Sequence, residues 1–155
     1  MNKKKILRNS AKAVIIQNGK LLVIEKQDGQ NSYYVLPGGG QKKDENLHEA
    51  LIREVGEEVG ARVEVGRLLH VREYLSEDHF PHPDLELRQV EFFFECKLSE
   101  DYEPQNGVHP DQRQQEVRWV KLEELDRINF YPVCLQDRLR NREGSNFPVY
   151  LGECN

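Results

Sequence analysis

Three carboxylates, Glu54, Glu57 and Glu58, fall within five residues of one another, directly after Arg53. On a helix turning 100° per residue they share an arc of about 100°, so all three aim at one spot. Like charges at i,i+3 and i,i+4 each cost a helix roughly 0.2 to 0.5 kcal/mol, and Gly56 in its interior costs about 1 kcal/mol relative to Ala. Stability alone does not select such a segment. A hard divalent cation does reward it, and clustered oxygen ligands without Cys or His favour Mg2+ or Mn2+ over zinc. A solvated acidic helix face is the competing reading, and two neighbours weigh against it. Pro37-Gly38-Gly39-Gly40 places side-chain-free backbone just upstream, able to approach an anion or offer a carbonyl to a metal. Arg53 has Glu49 four residues before it and Glu57 four after, so it can brace a carboxylate, although a plain surface salt bridge fits the same spacing.

These groups need elements to hold them. Leu47, Leu51, Val55 and Val59 recur every four residues with Ala50 beside them, which predicts a helix over roughly 44 to 59, with Asp44 as N-cap and Gly60 as its stop. Before it, residues 11–17 and 21–25 flank Asn18-Gly19 and read as a tight hairpin. Residues 33–36 form a short strand that Pro37-Gly38-Gly39-Gly40 ends. After it, residues 62–74 are extended with an interruption at Gly66, and residues 76–84, with two prolines, form a loop. Residues 90–98 alternate as a half-buried strand whose one lapse is Phe93. A polar stretch over 103–115, a short strand over 117–121, a helical turn at 122–125 and an amphipathic helix near 132–140 complete the regular structure. Strands on both sides of a central helix, with a further helix at the end, define an α/β fold: a mixed sheet covered on both faces.

At 155 residues the chain has the length of a single domain, taken as residues 1–155. Its net charge of −5 argues against holding a nucleic-acid backbone by bulk electrostatics, so nucleic acid is not expected as a partner. The charge is uneven: Lys3, Lys4, Lys5, Arg8 and Lys12 stand in the first twelve residues without an acid. Arg8, Lys12 and Lys26 stand on or near the first strands, each either a candidate contact for an anion or simply solvated, while Lys3 to Lys5 read as a solvated tail. Cys96, Cys134 and Cys154 are far apart and form no C-x-x-C pair, which suggests neither a disulfide framework nor a zinc ribbon. A reducing cytoplasm is the simplest setting, and no apolar run is long enough for export or a membrane span.

Gly39, five residues, Glu45, seven residues and then Arg53-Glu54-Val55-Gly56-Glu57-Glu58-Val59-Gly60-Ala61 resembles the Nudix box, Gx5Ex7REUxEExGU with U apolar. Ala61 is smaller than the aliphatic residue usual at the last position. The likeness extends beyond the box, since Leu36-Pro37-Gly38-Gly39 is similar to the family's lead-in and residues 116–125 to its common ending. It implies the Nudix-type α/β/α sandwich with a mixed sheet. It also implies a Mg2+-dependent hydrolase, related to MutT, that cuts the pyrophosphate bond of a nucleoside diphosphate linked to another group, with Mn2+ as an alternative metal. Carried over to this chain, Glu54, Glu57, Glu58 and the Gly38 carbonyl are the implied metal ligands, Arg53 braces them, and Glu57 doubles as a base. Glu45, on the opposite side of the helix from Glu54, is expected to anchor the loop at the helix start. Many relatives use a further acid outside the box; Glu116 is the preferred candidate here, ahead of Asp111 and Glu95.

The resemblance stops short of a substrate. Subfamily markers, a Pro for ADP-ribose or a Tyr for diadenosine polyphosphates about sixteen to eighteen residues past the box, fall on Glu77, Asp78 and His79, so neither is present. Tyr33, Tyr34, Tyr74 and Phe80 are candidates to stack on a base, and His79 and His82 have a ligand-like spacing but sit in a proline-bearing loop. A nucleotide-sensing module without turnover and an RNA 5′-end pyrophosphohydrolase stay open as alternatives, as does a homodimer.

Overall fold

The computed structural model describes residues 2–75, 83–142 and 146–155. Strand β1 (Lys4–Gln17) turns through Asn18 and Gly19, both at positive φ (54° and 74°), into β2 (Lys20–Asp28). This is the hairpin that Asn-Gly predicts. β3 (Asn31–Val35) and the three-residue β4 (Gly38–Gly40) lead to helix α1 (Leu47–Val59). β5 (Val63–Leu75), β6 (Leu85–Leu98) and β7 (Gln114–Lys121) follow. 3-10 turns at Leu122–Arg127 and Val133–Leu135, the short helix α2 (Gln136–Arg140) and β8 (Tyr150–Glu153) end the chain of elements.

The strands build one mixed sheet in the order β3-β2-β1-β6-β5-β8, with β4 paired to β1 and β7 to β2. β1 runs parallel to β6 from Lys4↔Leu85 to Ile15↔Cys96, and β5 runs antiparallel to β6. The register of β5 slips between Val65 and Leu68, at the interruption expected from Gly66. Each face of the sheet buries its own core. Ala11, Ala13, Ile15, Phe94 and Cys96 meet Leu51, Val55 and Val59 of α1 on one side. Val14, Leu21, Val23 and Phe93 meet Leu125, Leu135 and Leu139 on the other. The result is the expected α/β/α sandwich. None of the helices among the described residues is long and apolar enough to cross a membrane.

Several local expectations need correction, each for a physical reason. β6 is not half-buried: Phe93, the lapse in its alternation, is fully buried in the second core because both faces of the strand are covered there. The basic start is not a free tail, since Lys4 and Lys5 are already paired with Leu85 and Glu86. The glycine run does not simply end a strand; Gly38, Gly39 and Gly40 pair antiparallel with Lys12, Ala11 and Ser10. The helix is capped by Asn46 and not by Asp44: Asn46 Oδ1 accepts from the Glu49 N–H (2.9 Å) and Glu49 Oε1 from the Asn46 N–H (3.3 Å), a capping box. Its end does fall at Gly60, which adopts the left-handed conformation (φ 66°). β8 is an addition, and with it comes a disulfide between Cys134 and Cys154 (Cα–Cα 6.3 Å), leaving Cys96 as a buried free thiol. Twenty residues separate the bonded pair, so no spacing motif announces it.

The cap assignment sets an expected contrast. Asn46→Ala should lower the free energy of unfolding by about 1 kcal/mol and Asp44→Ala by less than about 0.5 kcal/mol, read from urea unfolding midpoints.

Candidate functional site

Period-two alternation along β1 sends Ala11, Ala13 and Ile15 into the α1 core and therefore Arg8, Ser10 and Lys12 to the opposite face. β4 lies against β1 there. Gly38 has a φ of 135°, and a Cβ on it would run into the Ala11 carbonyl; a Cβ on Gly39 would stand 2.6 Å from the Glu54 carboxyl carbon. Backbone without side chains is what lets α1 bring its carboxylates against the strand. The polar stretch after β6 closes the other side. Gly107 and His109 donate their backbone N–H groups to the Glu58 and Glu57 carbonyls (2.9 Å each), satisfying the last turn of α1 and carrying His109 and Asp111 alongside.

Together these elements line a recess of about 260 Å3 whose walls include Arg8, Ser10, Lys12, Gly38, Glu54, Glu57, Glu58 and Asp111. Arg53 sets the positions of the carboxylates. Its Nη1 donates to Glu54 Oε1 (3.0 Å) and Glu57 Oε2 (3.2 Å), and its Nη2 to the Gly40 carbonyl (3.0 Å). Its Nη2 and Nε also grip Glu45 (2.6 and 3.0 Å). Glu45 is thus the anchor expected of it: hydrogen bonds from Arg53 and the Lys42 N–H hold its carboxyl down at about 2. Glu49, the other neighbour expected for Arg53, is used by the cap instead. Glu58 is 4% exposed and accepts from the Gly38 N–H (2.8 Å). Burial pushes its carboxyl up to about 7, against the pull of the Lys12 ammonium and the Gly38 N–H. Lys12 Nζ itself donates to the Gly38 carbonyl (3.2 Å).

The donor set consists of hard oxygens, and two observations fit a divalent cation among them. Glu58 is a buried carboxylate whose burial outweighs the pull of Lys12 and the Gly38 N–H, and Ser10 Oγ, buried in the same wall, has no hydrogen-bond partner among the described residues. Among the described residues no three His, Cys, Asp or Glu side chains already stand as a metal cage; Glu54 and Glu57 lean on Arg53.

A second cavity, about 410 Å3, adjoins the recess and shares Lys12 with it. Tyr33, Tyr74, Phe93 and Tyr131 supply aromatic surface, and Asp28, Asn31, Asn129, Asn155, Arg72 and Glu91 supply polar groups. Lys26 lines it too and is ion-paired with Asp111, joining the two spaces at a second point. Burial pushes Asp111 up, but the Lys26 ammonium outweighs it and the net shift is downward.

Of the sequence candidates, Arg8, Lys12, Gly38, Glu54, Glu57 and Glu58 meet in the recess, with Arg53 behind them and Lys26 at the junction. Glu116 does not. It is exposed on β7 opposite Glu25, on the Tyr34–Arg118 side of the sheet, and Asp111 from the preceding loop stands in the recess in its place. Glu95 is ion-paired with Arg67 away from the recess, and Phe80, His79 and His82 lie outside the described residues. Ser10, Gln89, His109, Arg72 and Glu91 went unread. The alternation Arg8-Ser10-Lys12 would have found Ser10; the others depend on pairings between distant strands and loops.

The carboxylate recess and the aromatic cavity beside it lie on a mixed sheet whose two faces are each covered by helices and turns, which makes the protein an α/β/α sandwich. Residues 7–138 match the NUDIX domain model, and the chain belongs to that family. A MutT-like protein of Streptomyces ambofaciens is 43% identical over 61 residues, 39% of this chain and 38% of that protein, so the match spans little more than a third of the relative. A NUDIX hydrolase from Nitrosomonas europaea superposes with a TM-score of 0.69 at 23% identity, over 96% of this chain and 78% of that one. An ADP-ribose pyrophosphatase from Streptococcus suis 89-1591 gives 0.62 at 21% identity, over 92% and 97%. At such identities these structures speak for the fold.

The Glu58 environment has a measurable consequence. Its folded value of about 7 lies above the usual 4.5, so the folded protein keeps a proton that the unfolded chain has lost. Stability in the presence of EDTA should therefore fall as pH rises from about 4.5 to about 7. Glu58→Gln should flatten that slope, read from urea midpoints across the interval.

Proposed function

We propose that the protein hydrolyses the pyrophosphate bond of a nucleoside diphosphate linked to another moiety, with Mg2+ as cofactor and Mn2+ as a substitute. One observation carries the reading: the carboxylate recess and the aromatic cavity meet at Lys12, so a molecule with a nucleoside at one end and a diphosphate next to it fits both at once. The Gly38 carbonyl, Glu54, Glu57 and Glu58 would hold the cation, which when bound neutralises the diphosphate and acidifies water. Arg8, Lys12 and Lys26 receive phosphate oxygens from the side of β1 and β2. Arg8 is exposed with its guanidinium over Gly40, and Lys12 reaches the Gly38 carbonyl at the mouth of the recess. Arg53 keeps Glu54 and Glu57 turned toward one another. Of the three helix carboxylates Glu57 is the most exposed, at 34% of its side chain against 19% for Glu54, and we assign it the proton from attacking water, Asp111 being engaged by Lys26. Glu116, which faces another part of the surface, has no role in this scheme. The cytoplasm is the compartment we propose.

A panel of ADP-ribose, nucleotide sugars, dinucleotide polyphosphates and oxidised nucleoside triphosphates tests the proposal and names the leaving group. Turnover of at least one member should vanish with EDTA, and Glu57→Gln should lower kcat by about 10² to 10⁴. A folded protein inactive on the whole panel with both Mg2+ and Mn2+ would refute the reading. A 5′-triphosphate oligonucleotide added to the panel separates RNA-end processing from small-nucleotide hydrolysis.

A further inference from the structure

Asn155 lines the larger cavity and arrives there through β8, which is registered on β5 at Val71↔Tyr150 and Glu73↔Glu153. A covalent tie adds to this short ladder. Cys154 is bonded to Cys134, which sits in the 3-10 turn directly after Tyr131 and Pro132, two other residues of the cavity wall. The disulfide therefore joins two walls of one cavity.

Arg72 depends on the same segment. It is 5% exposed, lies 4.9 Å over the Tyr74 ring, and its Nη1 donates to the Cys154 carbonyl (2.6 Å) and, more weakly, to Asn155 Oδ1 (3.4 Å). Its Nη2 donates to Glu91 Oε1 (3.0 Å), an oxygen that also accepts from Gln89 Nε2 (3.0 Å). Arg72 Nε is buried without a partner among the described residues. A buried guanidinium that loses acceptors is strongly disfavoured, so the setting of Arg72, and of Glu91 beside it in the cavity wall, follows the docking of residues 150–155.

We propose that Cys154 and Asn155 are positioning residues of the nucleoside cavity and that the Cys134–Cys154 disulfide is a redox latch on it. The idea rests on the reading of this cavity as the nucleoside site. A dithiol reductant opens the latch: its two thiols give up two electrons and two protons and become a disulfide, while the protein's S–S bond breaks into two cysteine thiols. In a reducing compartment such a bond acts as a switch more readily than as a permanent staple. Once it opens, the docking of residues 150–155 is no longer enforced by a covalent link, the wall around Asn155 loosens, and Arg72 loses pre-organisation. The recess carboxylates are held by Arg53 on α1, so the change falls on affinity and not on the chemical step.

Calorimetry with AMP, GMP and UMP on oxidised and dithiol-reduced wild-type protein tests the latch without requiring turnover. Thiol titration after denaturation should count one thiol in the oxidised form and three in the reduced. At least one nucleotide should bind about tenfold more tightly to the oxidised form. Cys134→Ser and Cys154→Ser should bind like the reduced form and ignore the dithiol, and Asn155→Ala should weaken binding in the oxidised form only. For any substrate from the panel, KM should rise about tenfold on reduction with kcat within twofold. Three thiols before reduction, equal affinity in the two states, no nucleotide binding in either, or a dithiol effect that survives Cys134→Ser would each overturn it. Absence of turnover with redox-dependent binding intact would instead count against the hydrolase reading alone.

Discussion

Arg53 is the constraint on which the site depends. One guanidinium reaches Glu45 and the Gly40 carbonyl at the entrance of α1 and Glu54 and Glu57 on its body, so loop, strand end and helix are fixed relative to one another by a single planar donor fork. The Glu45 hydrogen bond dominates the upward shift of Arg53, which stays charged at any working pH. The converging carboxylates that a helix alone would disfavour are tolerable because this cation sits among them. Lysine could not replace it, since an ammonium offers no rigid fork with which to span partners in several directions.

From that anchor the recess is completed by parity along β1. The same alternation that buries Ala11 and Ala13 under α1 obliges Ser10 and Lys12 to face the other way, toward β4 and the carboxylates. A one-residue slip of β1 against β6 would exchange the two sets and destroy core and site together. The twelve parallel pairs between these strands are therefore as much a part of the site as the helix is. This explains why the basic residues at the beginning of the chain are held in a strand: Arg8 and Lys12 have value only at a fixed register.

What could be read in advance follows from the range of the interactions. The helix, its Gly60 stop, the Asn-Gly hairpin and the cluster of Glu54, Glu57 and Glu58 are local, written within a few residues of one another, and they were legible. The anchoring role of Glu45 was legible too, although not through a helical angle, since Glu45 stands in the turn before α1 and Arg53 holds it together with Glu54. The cap was misread because Asp44 and Asn46 are both competent acceptors, and only Glu49, three residues after Asn46, closes a box. Phe93 broke the alternation of its strand because the second core lies on that face, built by the turns at Leu122–Arg127 and Val133–Leu135 and by the short helix α2, all far along the chain. The second acid was placed on Glu116 because spacing cannot tell on which side of β7 a residue stands, whereas Asp111 is drawn in by Lys26 from another strand. The Arg72–Glu91 pair joins residues nineteen positions apart through the pairing of β5 with β6, the Cys134–Cys154 bond joins a 3-10 turn to the end of β8 twenty positions on, and no short-range pattern carries either.

The charge balance gains its meaning from this geometry. Four acids, Glu54, Glu57, Glu58 and Asp111, line the recess, while Arg53 and Lys26 are already committed to them by ion pairs, leaving Arg8 and Lys12 as the cations that face inward. An anionic diphosphate entering such a space meets like charge unless a divalent cation stands between. Burial makes the mismatch sharpest at Glu58, the carboxylate nearest the Gly38 backbone and the one whose proton is hardest to remove. The four recess acids are thus part of what makes the chain net negative at −5, and Lys12, which lines both recess and cavity, and Lys26, which lines the cavity and pairs with Asp111 of the recess, connect the two spaces.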